Sequence, residues 1–359
     1  MKKIITLLSC MIIAQSFYAQ SEKTLQERLD KFDKALNQKI SGDGAGLSII
    51  ITHKNNVVFE KYMGYADFET MEKLNADHVL GIASMSKQFL GMATLMLVEE
   101  GKIDLDKNIK EYLPELSIGD RNINVIHLLT HTSGLPELTQ NEKFMNNISI
   151  PHTVNQIIDM GLKGEYRSEP GEKFIYCNTG YTIMTALIEQ QSGMDFSTFL
   201  EERIFKPLKM DNTYSCDYKQ DAINAVQRYA RDSAGYHDAT IMHFSNLIGG
   251  GAVISNARDM AKWCMALISG QNLPDNYTDL WKPVLLNSGE STGYGLGMGV
   301  NNHDGRTYYY HPGMGDGMNS VDLIFLEEEM SITVIRNVHP PIVNSNEIAL
   351  MAADYLFED

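Results

Sequence analysis

In the stretch GIASMSKQFLGMATLMLVEEGK, Gly81 to Lys102, a serine and a lysine stand one helical turn apart at the head of an apolar run. Positions i and i+3 of a helix share a face, so the Ser84 hydroxyl and the Lys87 amine can come within hydrogen-bonding reach. Serine alone is a poor nucleophile. A neighbouring amine can take its proton only if burial or another cation lowers the lysine pKa from its free value of about 10.4. Ile82, Ala83, Phe89, Leu90, Met92 and Ala93 are apolar flanks that would bury this turn. Chance alone produces such a spacing in a chain of this size, so the pair carries weight only beside an oxyanion hole and a second acid or base.

Two further stretches supply candidates. In EPGEKFIYCNTGYTIMTALIEQQSG, Tyr176 and Asn178 lie between a Pro-Gly turn and a helix start. There a tyrosine can present its hydroxyl to a cleft, and an asparagine can bind a substrate carbonyl or hold Lys87. Taken alone, Tyr176 reads as a packed core aromatic and Asn178 as an N-cap. In YYYHPGMGDGMNSVDLIFL, an aromatic strand ends in His311, Pro312 and Gly313 before a glycine-rich turn. Glycine lets a substrate or second backbone come close, and the Met314 amide is placed to help bind an oxyanion. Taken alone, His311 reads as a surface residue beside a hairpin turn.

In that order, SMSK, YCN and HPG resemble the three catalytic boxes of the serine β-lactamase and penicillin-recognising superfamily. HLLTHTSGLPE, GGGAVISNARDMAKW and GYGLGMGV look like the branch whose second box is Tyr-x-Asn. That branch holds class C β-lactamases, D-Ala-D-Ala carboxypeptidases, D-amino-acid peptidases and related esterases, and the resemblance runs from about Gly46 to the chain end. It implies an acyl-enzyme on Ser84, Lys87 as its proton partner, and Tyr176 as general base and then acid. Asn178 would orient substrate and Lys87, His311 and Gly313 would form the third box, and the Ser84 and Met314 amides would form the oxyanion hole. No metal or organic cofactor is implied.

The third box departs from the Lys-Thr-Gly of typical β-lactamases. His311 replaces a permanent charge with a group that titrates near neutrality, and Pro312 removes a hydroxyl that would bind a substrate carboxylate. A D-amino-acid peptide or a small ester is therefore the favoured substrate over a penicillin, and activity is expected to follow the His311 titration. Arg336 in VIRN is a candidate carboxylate partner or a plain surface residue. Rival readings are a class C-like β-lactamase, a non-turnover peptide or cell-wall sensor, and a metal hydrolase using His127 and His131. The metal reading lacks the glutamate of a His-Glu-x-x-His motif and a third ligand. An α/β-hydrolase lacks its Gly-x-Ser-x-Gly.

The elements that must position these groups form an α/β (α+β sandwich) pattern. GLSIIITHKNNVVFEKYMGYA reads as a hairpin around His53–Asn56, and GYGLGMGV, RTYYYH, NSVDLIFL and MSITVIRN read as four later strands before the amphipathic NSNEIALMAADYLF. Between them lie helical patterns, several stopped by glycine at Gly101, Gly193 and Gly270. The expected architecture is an antiparallel sheet built from both chain ends, with a mostly helical insertion and a cleft where the two meet. Residues 20–359 would form one hydrolase domain, sheet-bearing over about 22–83 and 250–359 and helical over about 84–249.

The 359-residue chain is 43% hydrophobic and carries a net charge of −16, which repels phosphate backbones and argues against nucleic acid as partner. Its first 19 residues have two lysines, an apolar stretch and a small-residue end, the layout of a signal peptide, so the protein is expected to be exported to the periplasm or secreted. LLSC, ending at Cys10, offers a lipid anchor as the lesser alternative. Cys177, Cys216 and Cys264 are too few for a disulfide framework and read as buried thiols. No later apolar stretch has membrane-spanning length, and the sequence carries no signature of an oligomeric state.

Overall fold

The computed structural model describes residues 23–358 apart from 218, 220, 221, 240 and 241. The leader reading and Cys10 lie outside the described residues. Strands β1 (Leu47–His53) and β2 (Asn56–Met63) come from the N-terminal part. The C-terminal part adds β3 (Gly299–His303), β4 (Arg306–Gly315), β5 (Met318–Phe325) and β6 (Met330–Arg336). They form one six-stranded antiparallel sheet in the order β3-β4-β5-β6-β1-β2, so the two chain ends meet where β6 pairs β1.

The β1–β2 turn places Lys54 and Asn55 at φ 49° and 59°. Two successive left-handed residues match the twist of a tight hairpin, so the turn chemistry sits one residue earlier than the Asn55-Asn56 pair suggests.

The central strands β1, β5 and β6 are buried on both faces. Leu47, Ile49 and Ile51 alternate with Ser48, Ile50 and Thr52, and all six are buried. The first set packs with Leu29, Phe32 and Leu36 of α1 (residues 23–39) and with Ile348, Ala349 and Ala352 of α5 (Ser345–Leu356). On the other face, Ile50 meets Ala257 and Ala261 of α4 (Ala257–Ser269). On that face Thr52 Oγ1 and Ser331 Oγ share a hydrogen bond at 2.6 Å.

Helices α2 (Lys87–Glu99) and α3 (Asn178–Ser192) pack together beside this face. Every residue of α2 from Lys87 to Leu97 is buried, as befits a helix surrounded by other elements. Gly193 and Gly270 close α3 and α4 at φ 73° and 69°, the left-handed caps the glycines lead one to expect.

Three local expectations change. GYGLGMGV is not a strand until Gly299; Gly297, at φ 131°, lies against the Lys87 backbone, where a Cβ would meet the Lys87 carbonyl at 2.6 Å. Gly297 allows close approach to α2, and Gly295 to the Leu280–Lys282 backbone, rather than sheet pairing. The aromatic strand does not end at HPG but continues to Gly315. Within 217–244 the chain forms a hairpin, Tyr229–Asp232 with Gly235–Asp238, which polar composition alone conceals.

Phe32 is fully buried between α1 and the sheet. Phe32→Ala should lower the unfolding free energy by about 3–5 kcal/mol in a urea titration, the cost of a large aromatic cavity.

Candidate active site

Ser84 lies in a single 3-10 turn, Ala83–Ser86, and Lys87 opens α2 directly after it. Ala83 has φ 48°, a left-handed conformation that costs a non-glycine residue energy and must be held from outside. The holding bonds are visible. Ser320 Oγ donates to the Ile82 carbonyl at 2.7 Å, Ser86 Oγ donates to the Ala83 carbonyl at 2.7 Å, and the Val253 amide donates to Ser86 Oγ at 3.1 Å. Gly313 of β4 faces the same turn: a Cβ there would meet the Ile82 carbonyl and Ser320 Oγ, each at 2.3 Å. The third-box glycine is required because strand and nucleophile turn touch backbone to backbone.

Lys87 is completely buried. Its Nζ lies 3.2 Å from Ser84 Oγ, 3.0 Å from Asn178 Oδ1 and 2.8 Å from the Gly250 carbonyl. Burial pulls its pKa down to about 7, against the opposing pull of Glu137 and Cys177. Tyr176 is raised instead, chiefly by burial and further by Glu137, with its hydrogen bond to Ser84 working the other way. At neutral pH the site therefore holds a phenol beside an amine that can shed its proton.

Asn178 is the first residue of α3, not its N-cap, a position taken by Cys177. The bond from Asn178 Oδ1 to Lys87 replaces the capping role. The second box is fastened by the segment from His131 to Glu137, whose histidine stands at φ 58°. His131 Nδ1 accepts the Cys177 amide at 3.0 Å, and its ring stacks on Tyr176 with centroids 4.1 Å apart. Thr179 Oγ1 donates to the Pro136 carbonyl at 2.8 Å, and Glu137 takes two bonds from Asn178 at 2.8 Å each. Arg167 ties the two segments through the Leu135 carbonyl at 2.7 Å and the Tyr176 carbonyl at 3.1 Å.

Of these, Glu137, Arg167 and Gly250 were given no catalytic-site role by sequence spacing, and His131 only that of a metal ligand. Glu137 offered one signal, a carboxylate in an otherwise Gly-, Leu- and Pro-rich segment; Arg167 offered none. The two histidines of the metal reading are not brought together. His127 Nδ1 accepts the Asn124 amide at the head of its own short helix, while His131 serves Cys177. Among the described residues, the one group with metal-ligand geometry is His303, Asp304 and Asp354 on the surface, and neither histidine belongs to it.

His311 overturns two expectations. It is buried, not a surface residue, and burial followed by the nearby Lys87 pushes its pKa to about 3, so it does not titrate near neutrality. Its Nδ1 faces the Pro312 carbonyl at 2.7 Å, which can only accept, so Nδ1 carries the proton and Nε2 accepts from the Tyr294 hydroxyl at 2.9 Å. Arg336 is also buried rather than a surface residue, and its guanidinium donates to the Val343 carbonyl. Cys177, Cys216 and Cys264 are buried thiols outside any disulfide, as expected.

Ser84, Tyr176, Asn178, His311 and Met314 open onto a cavity of about 470 Å³ whose remaining wall includes Phe174, Tyr294 and Tyr310. Among the described residues lining it, none bears a charged side chain once His311 is neutral.

A six-stranded antiparallel sheet built from both chain ends, with a buried Ser-x-x-Lys turn against its third-box strand, defines the class. The chain belongs to the beta-lactamase family, whose model matches residues 23–356. It is 25% identical over 354 residues to penicillin-binding protein 4* of Bacillus subtilis, covering 92% of this chain and 76% of that protein. To protein flp of Staphylococcus aureus strain N315 it is 24% identical, covering 89% of this chain and 64% of the longer relative. Among solved structures, the D-amino acid amidase of Ochrobactrum anthropi SV3 complexed with D-phenylalanine matches with a TM-score of 0.80 at 23% identity, covering 92% of this chain and 99% of the other. The octameric penicillin-binding protein homologue of Pyrococcus abyssi matches at 0.80 and 24%, covering 92% and 77%. The β-lactamase/transpeptidase-like fold implied by the sequence is the fold found.

His311 has a depressed folded-state pKa, so the stability it contributes is complete above its unfolded value near 6.5 and falls as pH drops toward 3. Its ring nitrogens should keep the 15N shifts of a neutral imidazole from about pH 5 to 9, with only a small displacement as Lys87 titrates near 7; protonation of the ring itself with a midpoint near 6.5, the free value, would contradict the buried neutral ring.

Proposed function

We propose that this protein is an exported serine hydrolase that forms an acyl-enzyme on Ser84 and cleaves the amide or ester bond of a D-amino-acid peptide or a small ester. The observation that carries the proposal is the Lys87 amine, buried, lowered to about 7 and 3.2 Å from Ser84 Oγ. Ser84 Oγ attacks the carbonyl carbon while its proton passes to Lys87 Nζ. The Met314 and Ser84 backbone amides receive the developing oxyanion. The proton then reaches the departing amine or alcohol through the Tyr176 hydroxyl, leaving an ester on Ser84. Water attack on that ester releases the acid and returns the proton to Ser84.

In this scheme Lys87 takes the base role that the family resemblance gave to Tyr176. The raised phenol favours a Tyr176 that stays protonated and hands its proton on.

The cavity supports a substrate that brings no carboxylate into it. A carboxylate entering it meets aromatic rings, a neutral His311 and Pro312, with no cation on the lining to offset its desolvation. Penicillins and peptides that end beside the scissile bond carry such a carboxylate; D-amino-acid amides and simple esters do not. The D-amino acid amidase neighbour fits this preference.

Intact-protein mass should show a fluorophosphonate adduct on the wild type and none on Ser84→Ala. Absence of the adduct from both would move the reading to a non-turnover binding protein. A chromogenic aromatic ester or D-phenylalanine anilide should be turned over with kcat/KM about ten- to a hundredfold above a chromogenic cephalosporin. The reverse order would favour the class C-like β-lactamase. Since the acylating form needs a neutral Lys87, the rate should rise with pH through a midpoint near 7.

A further inference from the structure

Glu137 is nine-tenths buried, and the groups closest to it are donors. Its Oε2 accepts the Asn178 backbone N–H at 2.8 Å, and its Oε1 accepts Asn178 Nδ2 at 2.8 Å. Thr139 adds its amide at 3.3 Å and its hydroxyl at 3.1 Å, and Arg167 Nη2 stands 4.0 Å from Oε2. Donors alone satisfy a carboxylate, so the Asn178 amide has one orientation, nitrogen toward Glu137 and oxygen toward Lys87.

That orientation decides where the Lys87 lone pair goes. A neutral amine has two N–H bonds and one lone pair. The Gly250 carbonyl and Asn178 Oδ1 can only accept, so they take both N–H bonds and leave the lone pair for the Ser84 hydroxyl. Turned over, the Asn178 amide would present Nδ2–H to Lys87 and occupy that lone pair itself.

We propose that Glu137 is the positioning residue of this site: by fixing the Asn178 amide, it aims the Lys87 lone pair at the Ser84 hydroxyl. The inference rests on Lys87 as proton acceptor in Ser84 acylation. An electrostatic effect accompanies the geometry. The titratable groups facing Lys87 are Ser84 on its own turn, His131 and Glu137 on the fastening segment, Tyr176, Cys177 and Tyr181 at the head of α3, and His311 on β4. The two histidines are held neutral and the phenols and thiol protonated, chiefly by burial. Glu137 therefore carries the formal charge in this group, and that charge favours protonated Lys87.

The test is the pH dependence of fluorophosphonate acylation for wild type, Glu137→Gln and Glu137→Asp. Glutamine has one acceptor for the two Asn178 donors, so the plateau rate should fall about 10–100-fold, the usual effect of a misaimed reacting group. Loss of the negative charge should also move the acid limb to lower pH, by about half a unit or more. Glu137→Asp keeps the charge on a shorter stem; its limb should stay in the wild-type position and its rate should lie between the other two. Glu137→Gln with a wild-type rate, or with a lowered rate and an unmoved limb, overturns the inference, the second outcome marking a purely structural residue. If the glutamine variant does not fold, Glu137→Asp decides alone: a wild-type rate at every pH, or a displaced limb, overturns it. A wild type without a Ser84-dependent adduct instead sinks the hydrolase reading itself, which separates the two failures.

Discussion

A primary amine with no exposed surface must be given oxygen partners or lose its charge, and Lys87 is subject to both conditions. The rest of the site follows from that constraint. Its stem lies in a helix buried on all sides, so the amine cannot snorkel to water. Its head can reach only a serine hydroxyl, an asparagine amide and one peptide carbonyl. Gly250 provides that carbonyl because a Cβ at the position would stand 3.1 Å from Nζ. Burial lowers the amine to about 7, and the opposing charge of Glu137 limits how far it falls.

Holding the amine this closely demands that three separate pieces of chain be fixed against one another. A polar chain beneath the site does part of this. Trp263 Nε1 donates to Gln88 Oε1 at 2.9 Å, Gln88 Nε2 donates to Asp322 Oδ2 at 2.9 Å, and Asp322 Oδ1 accepts the His311 amide at 3.2 Å. Helix α4, helix α2 and strands β5 and β4 are thereby locked in one register, with each buried polar group answered by another. The left-handed Ala83 is strained backbone of the kind such over-determined surroundings can sustain.

The same burial that tunes Lys87 silences His311. Two basic groups share a water-poor site, and burial lowers both; the amine starts from 10.5 and reaches about 7 with Glu137 opposing the fall, while the imidazole starts from 6.5 and, with Lys87 beside it, is driven to about 3. The cavity above them is consequently lined by aromatic and other uncharged side chains.

The sequence by itself determined the sheet strands β1, β5 and β6, because residues buried on two faces read as apolar or β-branched runs, and β2, because a β-rich run follows a polar turn; it singled out Ser84, Lys87, Tyr176, Asn178, His311 and Gly313 through three separated short motifs. It also placed the glycine caps at Gly193 and Gly270, since a left-handed backbone leaves a local signature. It misread GYGLGMGV, whose Gly297 serves contact with a helix two hundred residues earlier in the chain, about which local pattern carries no information. It misread His311 for the same reason: side-chain identity sets a free pKa, but only the packed surroundings set the degree of burial and the charge of the neighbours. The role of Glu137 likewise exists only once the His131–Glu137 segment lies against the head of α3. Residue type and spacing could single out the candidate groups; their protonation states and mutual orientation are properties of the low-dielectric interior that the tertiary fold creates.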